Sequence, residues 1–220
     1  MSSPIIQLLV LAGIAIFLIL RLRDVLGTRE GFEKPTLPRQ QEDKRAKRTD
    51  FQVIEGGPDS DITDHVDADS ETAKALAAMK LVESSFNVGE FLNGARGAYE
   101  MILMGFEAGD MAAIKPFLSD DVYESFASVV EQRHEKGLVI ESNFVGMREM
   151  KLVGAEFDRG SNEGEVTVRF VGELTSVVRD KSGEIIEGNP NEIKRQKDVW
   201  SFARIMGSDN PNWHLVATGE

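Results

Sequence analysis

Residues 86–106 read FNVGEFLNGARGAYEMILMGF, and this stretch decides the fold class. Asn87 followed three residues later by Glu90 is a capping-box variant, and Phe86 and Phe91 bracket it at the positions of a hydrophobic staple. Phe91, Leu92, Ala95, Ala98, Tyr99, Ile102, Leu103 and Phe106 then recur at three- and four-residue intervals. That spacing predicts a long helix with one broad apolar stripe. Gly109 ends it, and Asp110 caps a short successor over residues 111–118 that Pro116 bends or stops. Ser119 opens a further helix lined by Val122, Phe126, Val129 and Val130, with Asp120 and Asp121 suiting its positive end, and Gly137 closes it.

After Gly137 the apolar period drops from 3.6 to 2. Val166, Thr167, Val168, Arg169 and Phe170 alternate as a half-buried strand. Residues 147–157 precede it across the turn-rich 158–162. Residues 175–179 lead through a second turn, 180–183, to Ile185 and Ile186. Residues 198–205 and 212–218 form the last pair of strands, joined by 207–211. Helices first and strands afterwards imply an α+β layer, with helices on one face of an antiparallel sheet. Upstream, residues 70–84 read as a further helix with Ala73, Leu76, Ala77 and Met79 near one narrow face. Its packing looks marginal. A movable arm that docks on lipid or a partner and an ordinary packed first helix are both compatible with that pattern.

The amino-terminal quarter has a different character. Residues 5–20 are apolar except for Gln7 and would span ~24 Å as a helix, a little short of a ~30 Å hydrocarbon core. A cleaved signal peptide has similar length. Against cleavage, no Lys or Arg precedes the run, no small-x-small site follows it, and it stops at Arg21-Leu22-Arg23-Asp24. We therefore expect a transmembrane anchor over residues 1–26. The chain beyond carries nine Lys or Arg between residues 21 and 48, among them Arg21, Arg23, Arg29, Lys44, Arg45, Lys47 and Arg48. By the positive-inside rule we expect the rest of the chain on the cytoplasmic side, and the lack of a long Arg-rich, acid-poor transit stretch points to a bacterial inner membrane. Residues 27–69 have no sustained apolar period and read as a disordered charged linker, roughly 35–40 Å end to end. Its basic half either is simply solvated or rests on anionic lipid at ~1 kcal/mol per well-placed cation. The folded domain is expected over residues 70–220, with its core at 85–220.

Charge and composition exclude several functions. Thirty-seven Asp and Glu against twenty-five Lys and Arg leave a net charge of −12, unlike a general nucleic-acid binder, which needs excess cations for phosphate. Zero cysteines remove disulfides and thiolate chemistry, and three scattered histidines do not make a metal cage. No phosphate-loop, nucleophile-elbow or zinc-protease motif appears. The expectation is a protein without cofactor, metal or catalytic residues.

Several pieces, taken as a set, carry a family resemblance. They are Phe91-Leu92-x-Gly94-Ala95, Phe106-x-x-Gly109-Asp110, and Phe117-Leu118-Ser119-Asp120-x-Val122 with Phe126. Val166 to Phe170, Val199-Trp200-x-Phe202-x-Arg204 and Asn212-Trp213-x-Leu215 complete it. Residues 70–220 so resemble the Tim-forty-four-like domain, and the anchor with its charged linker resembles bacterial TimA-type members. The resemblance implies a nuclear-transport-factor-two-like cone with an apolar pocket between helices and sheet. It also implies work as a non-enzymatic adaptor for protein partners of chaperone or translocase type, in protein translocation or membrane-protein biogenesis. The family's chaperone-binding amino-terminal region has no counterpart here, so those contacts do not transfer directly. Candidate pocket residues are Phe91, Tyr99, Phe106, Phe170 and Trp200. They either line a site for a lipid or small apolar ligand, or fill the core as large apolar residues at these periods do.

Overall fold

The structure is a computed structural model that describes residues 59–219. The expected anchor, the basic residues from Arg21 to Arg48 and the linker up to residue 58 lie outside the described residues. Among the described residues, no helix is long and apolar enough to cross a membrane. Within the described residues, five helices precede the strands: α1 (Ser60–Thr63), α2 (Glu71–Val82), α3 (Val88–Ala108), α4 (Met111–Ile114) and α5 (Asp120–Lys136), with a 3-10 turn, Lys115–Phe117, after α4. Strands β1 (Val139–Asp158), β2 (Glu163–Arg179), β3 (Ile185–Gly188), β4 (Lys194–Ile205) and β5 (His214–Gly219) follow.

The helix boundaries sit where local chemistry puts them. The Asn87 side chain accepts the Glu90 amide at 2.8 Å, and the Phe86 and Phe91 rings meet edge to face at 6.4 Å. Ser70, Asp110 and Ser119 cap α2, α4 and α5 by accepting from Ala73, Ala113 and Val122. Gly109 and Gly137 close α3 and α5 at φ 75 and 65, in the left-handed region that glycine enters without a Cβ clash.

The sheet is antiparallel in the order β1-β2-β4-β5, with β3 added to the end of β2. β1 and β2 pair from Val139↔Arg179 to Asp158↔Glu163, interrupted by three register shifts. Those shifts drop Val145, Arg148 and Val153 out of the pairing. The strand bounds differ from the expectation. β1 starts at Val139 rather than residue 147, because its bulges break the period-2 signal. β2 runs unbroken through Gly172, joining residues 166–170 to 175–179 in one strand. β4 likewise begins at Lys194 rather than 198, since Lys194 to Lys197 carry no apolar alternation.

α2 and α3 lie across β1, and the core forms between helices and sheet. Leu76, Met79, Tyr99, Ile102, Ile114, Val166, Val168, Phe170 and Leu215 have no exposed surface. The narrow face of α2 is therefore docked in this structure, where burying Leu76 and Met79 contributes about 1.5–3 kcal/mol each.

Folded structure also reaches further upstream than the composition suggests. Residues 59–69 fall in an acidic run read as linker, yet α1 folds there and Ile62 is 4% exposed. Two of the acids act by position. Asp61 accepts the first amides of α3, from Val88 at 2.8 Å and Gly89 at 3.1 Å, where the helix dipole favours an anion. Lys80 of α2 pairs with Asp61 at 2.6 Å and Asp59 at 2.7 Å. Burial alone would raise the Asp61 carboxyl, but Lys80 and the two amides outweigh it and hold the group below its ordinary value.

Candidate functional site: an open aromatic groove

The candidate pocket residues divide into three places. Tyr99, Phe170 and Trp200 pack on one another: Tyr99 stacks on Phe170 at 4.5 Å and meets Trp200 at 4.7 Å, and Phe170 meets Trp200 at 5.9 Å. Gly172 lets this cluster close, because a Cβ there would stand 3.0 Å from the Tyr99 hydroxyl. The phenol donates to Asp198 at 2.6 Å, and burial, then the Asp198 carboxylate, push its pKa up, so it stays a neutral donor. Phe106 lies apart, only half-buried, with Phe126 at 4.4 Å and the Arg133 guanidinium 4.4 Å above its ring. Arg133 closes that contact by pairing with Glu107. Phe91 belongs to neither group.

Phe91 instead forms the floor of a groove of about 590 Å³, open on one side, with Phe86, Phe202 and Trp213. The Trp213 ring lies 4.7 Å from Phe91 and 5.8 Å from Phe86, and Phe91 meets Phe202 at 6.2 Å. Phe117 of the 3-10 turn and Pro211 of the β4–β5 loop form one side. Glu90, Gly94, Gly97 and Met101 of α3 line the groove as well. The arrangement follows from the chain's order: α3 supplies floor and wall, and the last hairpin folds its tryptophan against them.

A charged clasp closes one end. Arg204, at the end of β4, places Nη2 2.8 Å from both carboxylate oxygens of Glu83, the residue that ends α2. The Gly207 amide donates to the same carboxylate at 2.8 Å, and the Arg204 guanidinium lies 5.3 Å from the Trp213 ring. The Arg204 side chain is 8% exposed and its Nε is buried with no hydrogen-bond partner. Burial by itself would raise the Glu83 carboxyl, but Arg204 and the Gly207 amide hold it below its ordinary value. The clasp thus ties α2, the last hairpin and the groove's tryptophan into one unit.

Chemically the groove offers aromatic surface, one clasped ion pair and exposed Glu90, which forms no ion pair among the described residues. Such a surface can hold an apolar group and a cation. Among the described residues no group of three or more Asp, Glu or His is placed to bind a metal. Sequence reasoning overlooked Trp213, Phe117, Glu83 and Arg204 as site residues. Trp213 and Arg204 stood in the quoted pattern, but nothing in the spacing shows that they meet Phe91.

Comparison with known proteins bears on residues 72–220, which match the model of the Tim44-like domain. The mitochondrial import inner membrane translocase subunit TIM44 of Homo sapiens is 24% identical over 151 residues, covering 67% of this chain and 33% of that protein. The Rattus norvegicus and Mus musculus proteins of the same name are 23% and 22% identical over the same shares. The alignment therefore spans about a third of the length of those relatives. Among solved structures, the intermembrane space region of the chloroplast protein ARC6 aligns with a TM-score of 0.40 at 7% identity, covering 58% of this chain and 94% of that one. A ketosteroid isomerase-like protein from Erwinia carotovora atroseptica aligns with a TM-score of 0.33 at 14% identity, covering 56% and 89%.

Proposed function

This chain belongs to the Tim44-like domain family, and from that premise we propose that it is a non-enzymatic adaptor that holds protein partners at a membrane during protein translocation. The observation that carries the reading is the family match over residues 72–220. The relatives it aligns with are named as subunits of an import translocase. The open aromatic groove supplies a surface suited to holding a protein rather than transforming a small molecule.

The anchor belongs to the same proposal. Residues 1–26 fix the chain in a bacterial inner membrane as a TimA-type member, and the charged linker holds the domain on the cytoplasmic side. Tethering of this kind raises the effective concentration of a binding module without adding contacts. A lipid or small apolar ligand inside the domain is the weaker reading, because Tyr99, Phe170 and Trp200 fill the space it would need. Proximity labelling from the full-length chain in intact cells tests the adaptor. We expect a reproducible set of protein neighbours enriched over a membrane-anchored control. Labelling indistinguishable from that control would contradict the reading.

A further inference from the structure

α3 contains glycines whose environments differ. A Cβ on Gly105 would run into Ile114, so that glycine lets α4 pack closely. Gly94 and Gly97 have no such reason: nothing lies within 4 Å of where their Cβ atoms would be. Both are exposed in the middle of a helix, where glycine is destabilising relative to alanine. The fold gains nothing visible from them.

They also lie in line. Glu90, Gly94, Gly97 and Met101 are spaced by four, three and four residues, the spacing of a helix-packing seam. The seam runs beside the aromatic floor, and Met101 at its end is 38% exposed. Bare backbone at two consecutive seam positions lets another helix approach more closely than ordinary side chains permit. The large side chains of a partner then reach the half-exposed Trp213 in the groove.

Charge selects among helices. Glu90 opens the seam without an ion pair, Glu100 is exposed on the same helix, and the groove's one cation, Arg204, is already clasped by Glu83. The surrounding chain is acidic too: residues 59–219 carry sixteen Lys or Arg against twenty-nine Asp or Glu. An acidic partner face would be repelled.

Resting on the adaptor reading and naming its partner's chemistry, we propose that the seam Glu90–Gly94–Gly97–Met101 is the docking track for an amphipathic helix of a partner protein. That helix packs its backbone on the two glycines, lays a bulky apolar side chain against the half-exposed Trp213 ring beside Met101, and sets a Lys or Arg against Glu90.

The test uses the full-length chain in nanodiscs, so that detergent does not occupy the groove. The probes are an eighteen-residue Leu/Lys amphipathic helix, its Leu/Glu counterpart, a scrambled Leu/Lys peptide and phosphatidylglycerol vesicles. Amide shifts of Gly94 and Gly97 and the emission of Trp213 in a Trp200→Phe chain report occupancy. We expect saturable shifts with the Leu/Lys helix only, at least tenfold weaker binding in Gly97→Leu with thermal unfolding at or above that of the unaltered chain, and a similar loss in Glu90→Lys. Should Trp200→Phe fail to fold, the glycine amides of the unaltered chain carry the measurement alone. Equal binding of the scrambled peptide, no effect of Gly97→Leu, or a response to vesicles alone would overturn the track. Proximity-labelled partners that persist unchanged in Gly97→Leu would overturn it while leaving the adaptor reading intact.

Discussion

Two aromatic clusters of similar composition meet opposite fates in this domain. Tyr99, Phe170 and Trp200 are sealed inside, while Phe86 and Phe91, themselves buried, lie under a half-exposed Trp213 at the floor of an open groove. The side chains do not explain the contrast; the glycines beside them do. Gly172 sits under Tyr99 and removes the atoms that would hold the first cluster apart. Gly94 and Gly97 border the second cluster and lower a wall that no other element of the domain covers. Aromatic content alone therefore says little about a binding surface. What matters is whether the neighbouring backbone closes on the rings or leaves them accessible.

The sealed cluster should show the largest effect when broken. Phe170→Ala is expected to cost about 3–5 kcal/mol in the chemical denaturation of the chain, because its neighbours cannot collapse into the vacated volume. Substitution of Phe106, half-buried between Phe126 and Arg133, should cost clearly less; equal losses would mean that the two sites are not distinct in packing. Next comes the clasp. Glu83→Ala strands a guanidinium that is 8% exposed, and a loss of ~3 kcal/mol is expected by the same measurement.

Acid should act on the same groups. Glu83 and Asp61 are held below their ordinary values of 4.5 and 3.8, so their contributions are complete above those values. Both fade as pH falls through the lowered folded values, when the carboxyls take up protons. Hydrogen exchange in α2 should accelerate below about pH 4 before it does in the middle of α3. Simultaneous acceleration of the two helices would show that the clasp does not hold α2 separately. The smallest effect is a gain. Gly94→Ala and Gly97→Ala should each stabilise the chain by ~0.5–1 kcal/mol, since alanine suits a helix interior and the space is empty. Destabilisation by either would mean that the domain itself uses these glycines.

The sequence made the helices legible because their caps are local. Asn87, Ser119, Gly109 and Gly137 each act within four residues and need no tertiary partner. The strands were less legible, since bulges at Val145, Arg148 and Val153 interrupt the alternation that reveals a strand. The acidic run at residues 59–69 misled for a related reason. Its charges are ordinary for a linker, and only the fold brings Asp61 to the amides of α3. The groove was the least legible part. Phe91 and Trp213 are more than a hundred residues apart, and their contact depends on the β4–β5 hairpin returning to α3. Gly94 and Gly97 were visible as residues of the α3 sequence, but their meaning came from the empty space beside them.

The central claim is that the open groove, and not the rest of the surface, is where this adaptor meets its partner. Site-specific photocrosslinking in native membranes tests it most directly, with the photoreactive residue placed at Met101 in one full-length chain and at Val153 of β1 in another. Both positions are exposed, at 38% and 45%. The account predicts one reproducible protein adduct from position 101, absent from position 153 and lost when Gly97→Leu is added. The same adducts from both positions, or none from position 101, would contradict it.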